Sequence, residues 1–369
     1  MTIPVASETP QDLARLDLEE LARFLEGLGE PPFRARQLYA WIHRRGETAF
    51  AAMTDLGTTL RARLASRATI GTLRAARETR SSDGTRKLLF HLADDRRIEG
   101  VVIPDGKRLT ACLSTQAGCV LQCRFCLTAQ VRPARNLTAG EIVGQVLSLR
   151  RALGPEARIT NLVLMGMGEP LANFPQTAKA LRMLMAPEGL AFPARRITLS
   201  TAGLVPGIRR LAESGLGVNL AVSLNATADS LRTRLMPHNA QFPLAALLEA
   251  CRRFPLAPRR RITFEYVLLG GINDAPEDAR RLPGLVHGIR CKVNLIPFNE
   301  GPGLPFRRPD VSRVAAFREI VERGGVLATV RESKGRDILA ACGLLAGQEA
   351  SPARQVAVPV VGPPVGAAV

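Results

Sequence analysis

Apolar positions early in the chain recur with helical rather than strand-like spacing. Leu13, Leu16, Leu21, Phe24, Leu25 and Leu28 form one series; Phe33, Leu38, Tyr39, Trp41 and Ile42 form a second. The segment from about Asp12 to Ala76 is therefore expected to be helical. Two short apolar runs follow, Lys87–Leu92 and Ile98–Ile103, with Asp94-Asp95 between them. This predicts a β-hairpin leading into the main domain. From Leu109 onward the pattern alternates. Strand-like runs at Leu109–Leu113, Ile159–Met165, Arg196–Leu199, Val218–Ser223, Arg261–Leu268 and Lys292–Pro297 are separated by helix-like stretches, of which Leu137–Leu153 is the clearest. Thr138 followed three residues later by Glu141 is a capping-box signature at the start of that helix.

Six βα alternations imply an α/β fold with a parallel sheet, most simply a partial (β/α)6 barrel. Such barrels carry their chemistry on the loops after the strands, at the C-terminal ends. The expected organisation is a basic helical N-terminal domain over residues 1–80, a β-hairpin linker over 81–108 and the partial barrel over 109–346. A tail over 347–369, rich in Pro, Ala, Val and Gly without periodicity, is expected to be disordered.

Charge narrows the partner. The net charge of +17 and isoelectric point near 10.8 favour a polyanion. Nearly all of the basic residues are Arg, however, so a compositional bias explains the same balance. Arg34, Arg36, Arg44, Arg45, Arg61, Arg63 and Arg67 decorate the helical segment, as a polyanion-gripping face or as a solvated one. No apolar run approaches the roughly 20 residues of a membrane span. Met1 to Asp12 carries acids and lacks the basic start and apolar stretch of a signal peptide. The expectation is a cytoplasmic protein without membrane association.

Seven Cys are present, and Cys112, Cys119, Cys123 and Cys126 fall within fifteen positions. Such clustering suits metal or redox chemistry better than a disulfide framework. Cys119-Val-Leu-Gln-Cys123-Arg-Phe-Cys126 follows the first barrel strand. Thiolates are the ligands of iron–sulfur clusters, and a cubane needs four. Three leave one iron open to substrate. Zinc is the rival, but its structural sites want four ligands, and none of the 4 His lies near the loop. Gly166-Met-Gly168-Glu169-Pro170 follows the second strand. Ser200 ends the third, Ser223-Leu224-Asn225 the fourth, and Asn299 follows the sixth. Singly each small polar residue is a helix cap or turn; around one rim they form a ligand-binding series. Cys251 and Cys291 carry no motif and read as buried small hydrophobes.

The C-x3-C-x2-C spacing, with Phe125 before the last Cys, resembles the radical S-adenosylmethionine (SAM) superfamily. From about Leu13 to Leu344 the chain resembles the RlmN/Cfr family of RNA adenine methyltransferases. The matching segments are Phe33-Arg-Ala-Arg-Gln-Leu, Ile98-Glu99-Gly-Val-Val-Ile-Pro104, the Cys loop, Met165-Gly-Met-Gly-Glu-Pro170 and Asp337-Ile-Leu-Ala-Ala-Cys-Gly343. The resemblance implies a [4Fe-4S] cluster on Cys119, Cys123 and Cys126. It implies SAM held by Gly168, Glu169, Ser200, Ser223, Leu224, Asn225 and Asn299, two SAM being used per turnover. One SAM methylates Cys342. The second, through a 5′-deoxyadenosyl radical, activates that methyl for addition to C2 of adenine. Cys112 then resolves the enzyme–RNA adduct, leaving a transient disulfide, and Glu99 corresponds to a proposed proton acceptor. The implied partners are 23S rRNA, protein-free or in an early assembly intermediate, together with tRNA, a flavodoxin- or ferredoxin-type electron donor and a thiol reductant. The protein is expected to be a monomer.

Two positions depart from the family pattern: Asn225 where His is common, and Leu344 where Gln is common. The first touches an expected SAM contact and the second adjoins the methyl carrier. The rival within the family is C8 methylation; the helical N-terminal segment and the Trp41 region look more like the C2 enzymes. A non-catalytic iron–sulfur RNA-binding protein is the rival outside it, and leaves Cys112, Cys342 and the Gly-Glu-Pro loop without purpose.

Overall fold

The computed structural model describes residues 10–71 and 73–347; the tail expected to be disordered and the N-terminal residues expected not to form a signal peptide lie outside them, apart from residues 10–12 and 347. In the first part, strand β1 (Gln11–Asp12) leads to helices α1 (Leu18–Glu26), α2 (Phe33–Tyr39) and α3 (Thr58–Arg67) and to strand β2 (Ala68–Thr69), which pairs with β1 in parallel. Asp17 and Glu20 close a capping box at the start of α1. Leu13, Leu21, Leu25, Leu38, Ile42, Leu60 and Leu64 bury together as a separate core, the apolar stripe that the helical spacing predicts. The helical expectation ran to Ala76, but α3 stops at Arg67. Beyond it come Thr69 and Ile70, β-branched residues that favour strand, and the Gly71 N–H is taken by the Asp12 carboxylate at 2.8 Å.

The chain then enters a single ten-stranded sheet with β3 (Arg74–Arg80), β4 (Arg86–His91), β5 (Arg97–Asp105) and β6 (Arg108–Cys112). These four run antiparallel in sequence order. The expected hairpin is thus β4–β5, and it is no detached linker: it lies inside a meander continuous with the main sheet. β6 belongs to both halves, pairing antiparallel with β5 and parallel with β9 (Asn161–Leu164). Between them, β7 (Gln116–Ala117) and β8 (Arg135–Asn136) pair across the neck of the Cys loop, followed by α4 (Ala139–Leu153). The parallel run continues through α5 (Phe174–Met185), β10 (Ile197–Thr201), α6 (Val205–Glu213), β11 (Asn219–Ser223), α7 (Asp229–Leu235), α8 (Leu244–Arg252) and β12 (Ile262–Leu268). It ends with α9 (Pro276–Leu285), β13 (Cys291–Pro297), α10 (Val311–Arg323) and β14 (Ala328–Val330). All six expected strands are present. The three-residue β14 adds a seventh that the pattern does not announce.

The capping box predicted for α4 is present, with Thr138 and Glu141 exchanging bonds. This helix is buried from Ala139 to Leu149 because both sides are covered. Its neighbours include the sheet and the N-terminal helices: Arg150 donates to the His43 and Arg44 carbonyls, and Ser148 donates to the Leu73 carbonyl. Tyr39 reaches the Met183 carbonyl on α5. The basic N-terminal module is therefore seated on α4 and α5. No helix among the described residues is long and apolar enough to cross a membrane.

Candidate active site

One cavity is reached from the C-terminal ends of the parallel strands. Its wall includes Gly166 after β9, Ser200 on β10, Ser223 on β11, Glu265 on β12, Asn299 after β13 and Arg331 after β14. Cys119, Cys123, Cys126 and Cys342 line the same space. In a flat sheet at about 4.8 Å per strand, β9 and β14 would lie about 24 Å apart. Their sharing of one cavity is the signature of a curled, partial barrel.

The loop after β9 is built on close backbone approach. Gly168 has φ +99°, and a Cβ there would lie within 2.7 Å of Gln116 atoms, so only glycine fits. Gln116 in turn accepts the Glu169 N–H at 2.9 Å. The Glu169 carboxylate accepts the N–H groups of Leu171 (3.0 Å) and Ala202 (2.8 Å), tying this loop to the end of β10. Burial pushes its pKa up to about 7. Asn225 sits at φ +57°, a conformation that Asn tolerates better than most residues. Its side-chain oxygen accepts the Val267 N–H (2.9 Å), and its backbone carbonyl accepts from Asn273 (2.8 Å). In this structure the Asn225 amide therefore joins β11 to β12.

The Cys loop is pinned at its neck by β7 and β8. Gly118, at φ +83° against the Val131 carbonyl, admits no side chain before Cys119. The three cysteines line one cavity, and none of them forms a disulfide. Burial raises the thiols: Cys119 to about 12, Cys123 well above its ordinary value, and Cys126 upward as well. Buried thiols close enough to repel one another as anions suit a cationic cluster that would draw off their protons. The cavity also suits SAM. The side-chain oxygen of Asn299 and one carboxylate oxygen of Glu265 are buried in its wall without a partner. Both are acceptors, and SAM brings an ammonium, ribose hydroxyls and an exocyclic amine.

Cys342 lies on a loop, residues 335–347, held from three directions. Asp83 accepts the Gly335 N–H (2.8 Å), and Asp337 accepts from the Ser81 hydroxyl (2.6 Å). The Asn299 amide donates to the Cys342 carbonyl (3.3 Å). From the Cys loop, the Leu127 N–H donates to Gly343 (2.7 Å) and the Thr128 hydroxyl to Leu345. Leu344, the second departure from the family pattern, packs with Leu127 and Ala341. Cys112 does not line the cavity but lies buried beside it. Its pKa is raised to about 12, first by burial and then by nearby Cys342, while Arg331 opposes the rise. Arg331 is itself held above its usual value, chiefly by Cys342 and against burial, with help from Glu265 and Cys112.

Two expected site residues fall elsewhere. The Leu224 side chain is fully buried in the main core, because the extended chain just past the end of β11 turns it to the opposite side from Ser223 on the wall. Glu99, expected as a proton acceptor, is absent from the cavity wall. Its carboxylate is an ion-pair partner of Lys87 and an acceptor for the Ala346 and Gly347 N–H groups. Two charged wall residues went unread in the sequence. Glu265 was detectable as a lone charge within an apolar strand; Arg331 follows a strand too short to announce itself. Cys251 is buried in the main core as expected, whereas Cys291 is only partly buried and packs against that core.

Comparison with known proteins adds three findings. The chain matches the family model "Ribosomal RNA large subunit methyltransferase N-terminal domain" over residues 11–70 and "Radical SAM superfamily" over residues 113–282. Proteins named dual-specificity RNA methyltransferase RlmN are 50% identical to it. The one from Anaeromyxobacter dehalogenans aligns over 97% of this chain and 98% of its own length, and that from Geobacter sulfurreducens over 92% and 93%. A solved radical SAM methyltransferase from Sphaerobacter thermophilus superposes with a TM-score of 0.87 at 46% identity, covering 92% of this chain and all of that one.

Proposed function

The chain belongs to the RlmN family of radical SAM RNA methyltransferases, and from that premise we propose that it methylates C2 of adenine in 23S rRNA and in tRNA, with Cys342 as the methyl carrier. The observation that carries this reading is the single cavity shared by Cys119, Cys123, Cys126 and Cys342, with Cys112 and Arg331 near enough to Cys342 to interact with it electrostatically. When bound, the [4Fe-4S] cluster and SAM supply the methyl group and the one-electron chemistry.

The protein's own residues do the rest. Cys119, Cys123 and Cys126 hold the cluster. Gly168, Glu169, Ser200, Ser223, Asn225 and Asn299 surround SAM. The Cys342 thiolate accepts a methyl by displacement and presents it to the base. While the base remains bonded through that carbon, now a methylene, a proton acceptor removes the C2 proton and the Cys112 thiolate attacks the Cys342 sulfur. The S–S bond forms as the S–C bond breaks, the electron pair passes to the exocyclic carbon, and its protonation leaves a methyl group on C2. Arg331 favours the thiolate form of Cys112 in a site where burial opposes it. A thiol reductant restores both cysteines, in keeping with work in the cytoplasm. An adenine reaches this recessed cavity only once unstacked, which favours naked or early-assembly rRNA as substrate. The C2 rather than the C8 reading is favoured by the match over residues 11–70, which covers the N-terminal module.

The test is mass spectrometry of rRNA and tRNA from cells lacking the gene, before and after restoring the wild type or Cys342→Ala. Loss of 2-methyladenosine that returns only with Cys342 is the expected result. An 8-methyladenosine signal that tracks the gene would establish the C8 reading instead. No change in any methyladenosine would overturn both.

A further inference from the structure

We propose that Lys87 and Glu99 are positioning residues that latch the Cys342 loop against the sheet. The inference deepens the methyl-carrier reading and rests on it. Lys87 on β4 and Glu99 on β5 are diagonal neighbours across the antiparallel pair, which aligns Lys87 with Val101 and Leu89 with Glu99. Their Nζ and Oε1 atoms are 2.9 Å apart, and the side chains are only 5% and 2% exposed. Each partner also reaches the loop. The Lys87 ammonium donates to the Leu339 carbonyl at 3.3 Å. The other Glu99 oxygen accepts the N–H groups of Ala346 (2.9 Å) and Gly347 (3.2 Å).

Leu339 precedes Cys342 and Ala346 follows it, so a single ion pair grips both shoulders of the loop. A buried pair of this kind is a poor way to gain stability, since desolvation offsets most of the attraction. What it provides is direction. The ammonium and carboxylate fix where a carbonyl and two amides must lie, which the apolar packing of Leu344 against Leu127 does not. The loop needs such definition because Cys342 has to address SAM, the base and Cys112 in turn, and displacements of about 1 Å are costly at a reacting centre. The grip also comes from outside the cavity, so the base enters without displacing it.

Amide hydrogen exchange on the full-length enzyme tests the latch directly. In Lys87→Met, exchange at Ala346 and Gly347 is expected to accelerate at least tenfold while the β11 and β12 amides are unchanged, and Lys87→Arg restores most of the protection. Methylation kinetics should show kcat reduced at least tenfold with KM for RNA within twofold. Should Lys87→Met fold poorly, the double variant Lys87→Met/Glu99→Gln removes both charges together and carries the same expectation. Wild-type exchange at Ala346 and Gly347 in a folded double variant would overturn the latch. Faster exchange in an enzyme whose wild type never carries methyl on Cys342 would leave the latch standing and sink the methyl-carrier reading.

Discussion

Cys112 and Cys342 are both free thiols with very different surroundings. Cys342 is half-buried in the cavity wall, whereas Cys112 is buried on β6 and raised to about 12. At pH 8 burial keeps Cys112 almost entirely in the thiol form. Iodoacetamide at that pH should therefore modify Cys342 well before Cys112, as read by peptide mapping. Equal labelling would show that Cys112 is not shielded. A second residue-scale expectation concerns Gly168. An alanine there meets both a positive φ and the Gln116 side chain, so the backbone that carries Glu169 must shift. Gly168→Ala should weaken SAM binding at least tenfold in calorimetric titration while the circular dichroism spectrum is retained. Unaltered affinity would separate Glu169 from SAM recognition.

At the scale of elements, the π-helical turn Ala40–Arg45 carries His43, fully buried with neither ring nitrogen partnered. Burial lowers its pKa from 6.5 to about 4. The unfolded chain thus binds more protons than the folded one between those values, so stability rises with pH across the window. The contribution is fully present above about pH 6.5 and is lost as pH falls toward 4, at most about 3 kcal/mol. Urea unfolding at pH 4.5 and 7.5 should show a smaller pH difference for His43→Leu than for wild type; an unchanged difference would mean that His43 is not the titrating group.

Elements were legible where a pattern repeats and illegible where it does not. The six parallel strands and the Thr138 cap follow from apolar runs and local chemistry. Strand β3 escaped because its described side chains are mostly solvent-exposed, leaving no apolar alternation to read; it is an edge strand, polar on both faces. The Cys loop and Cys342 were legible as spacing and motif. Glu99 was read as a proton acceptor from its motif alone; its partners were not legible, because they lie twelve residues upstream at Lys87 and far downstream at Ala346, a juxtaposition that only the folded chain creates.

For the whole molecule, the charge of +17 sets how RNA is met. If several phosphates are neutralised on binding, raising monovalent salt from about 50 to about 200 mM should weaken RNA affinity by roughly two orders of magnitude. Filter binding across that range would measure the slope, and a flat response would assign recognition to the cavity rather than to the basic surface. The Cys342 loop has one more consequence, visible when the chain is considered as it leaves the ribosome. Its anchors at residues 81–87, 99 and 127–128 are synthesised first, and folding proceeds from the N-terminus as they emerge. A nascent chain that has completed β14 already owns the three cysteines proposed to hold the cluster and most of the cavity wall, yet lacks Cys342, the proposed methyl acceptor. On the proposed mechanism competence thus arrives in one step, with the last dozen described residues, and a product truncated before them would keep most of the cavity but lack the proposed methyl-carrying sulfur.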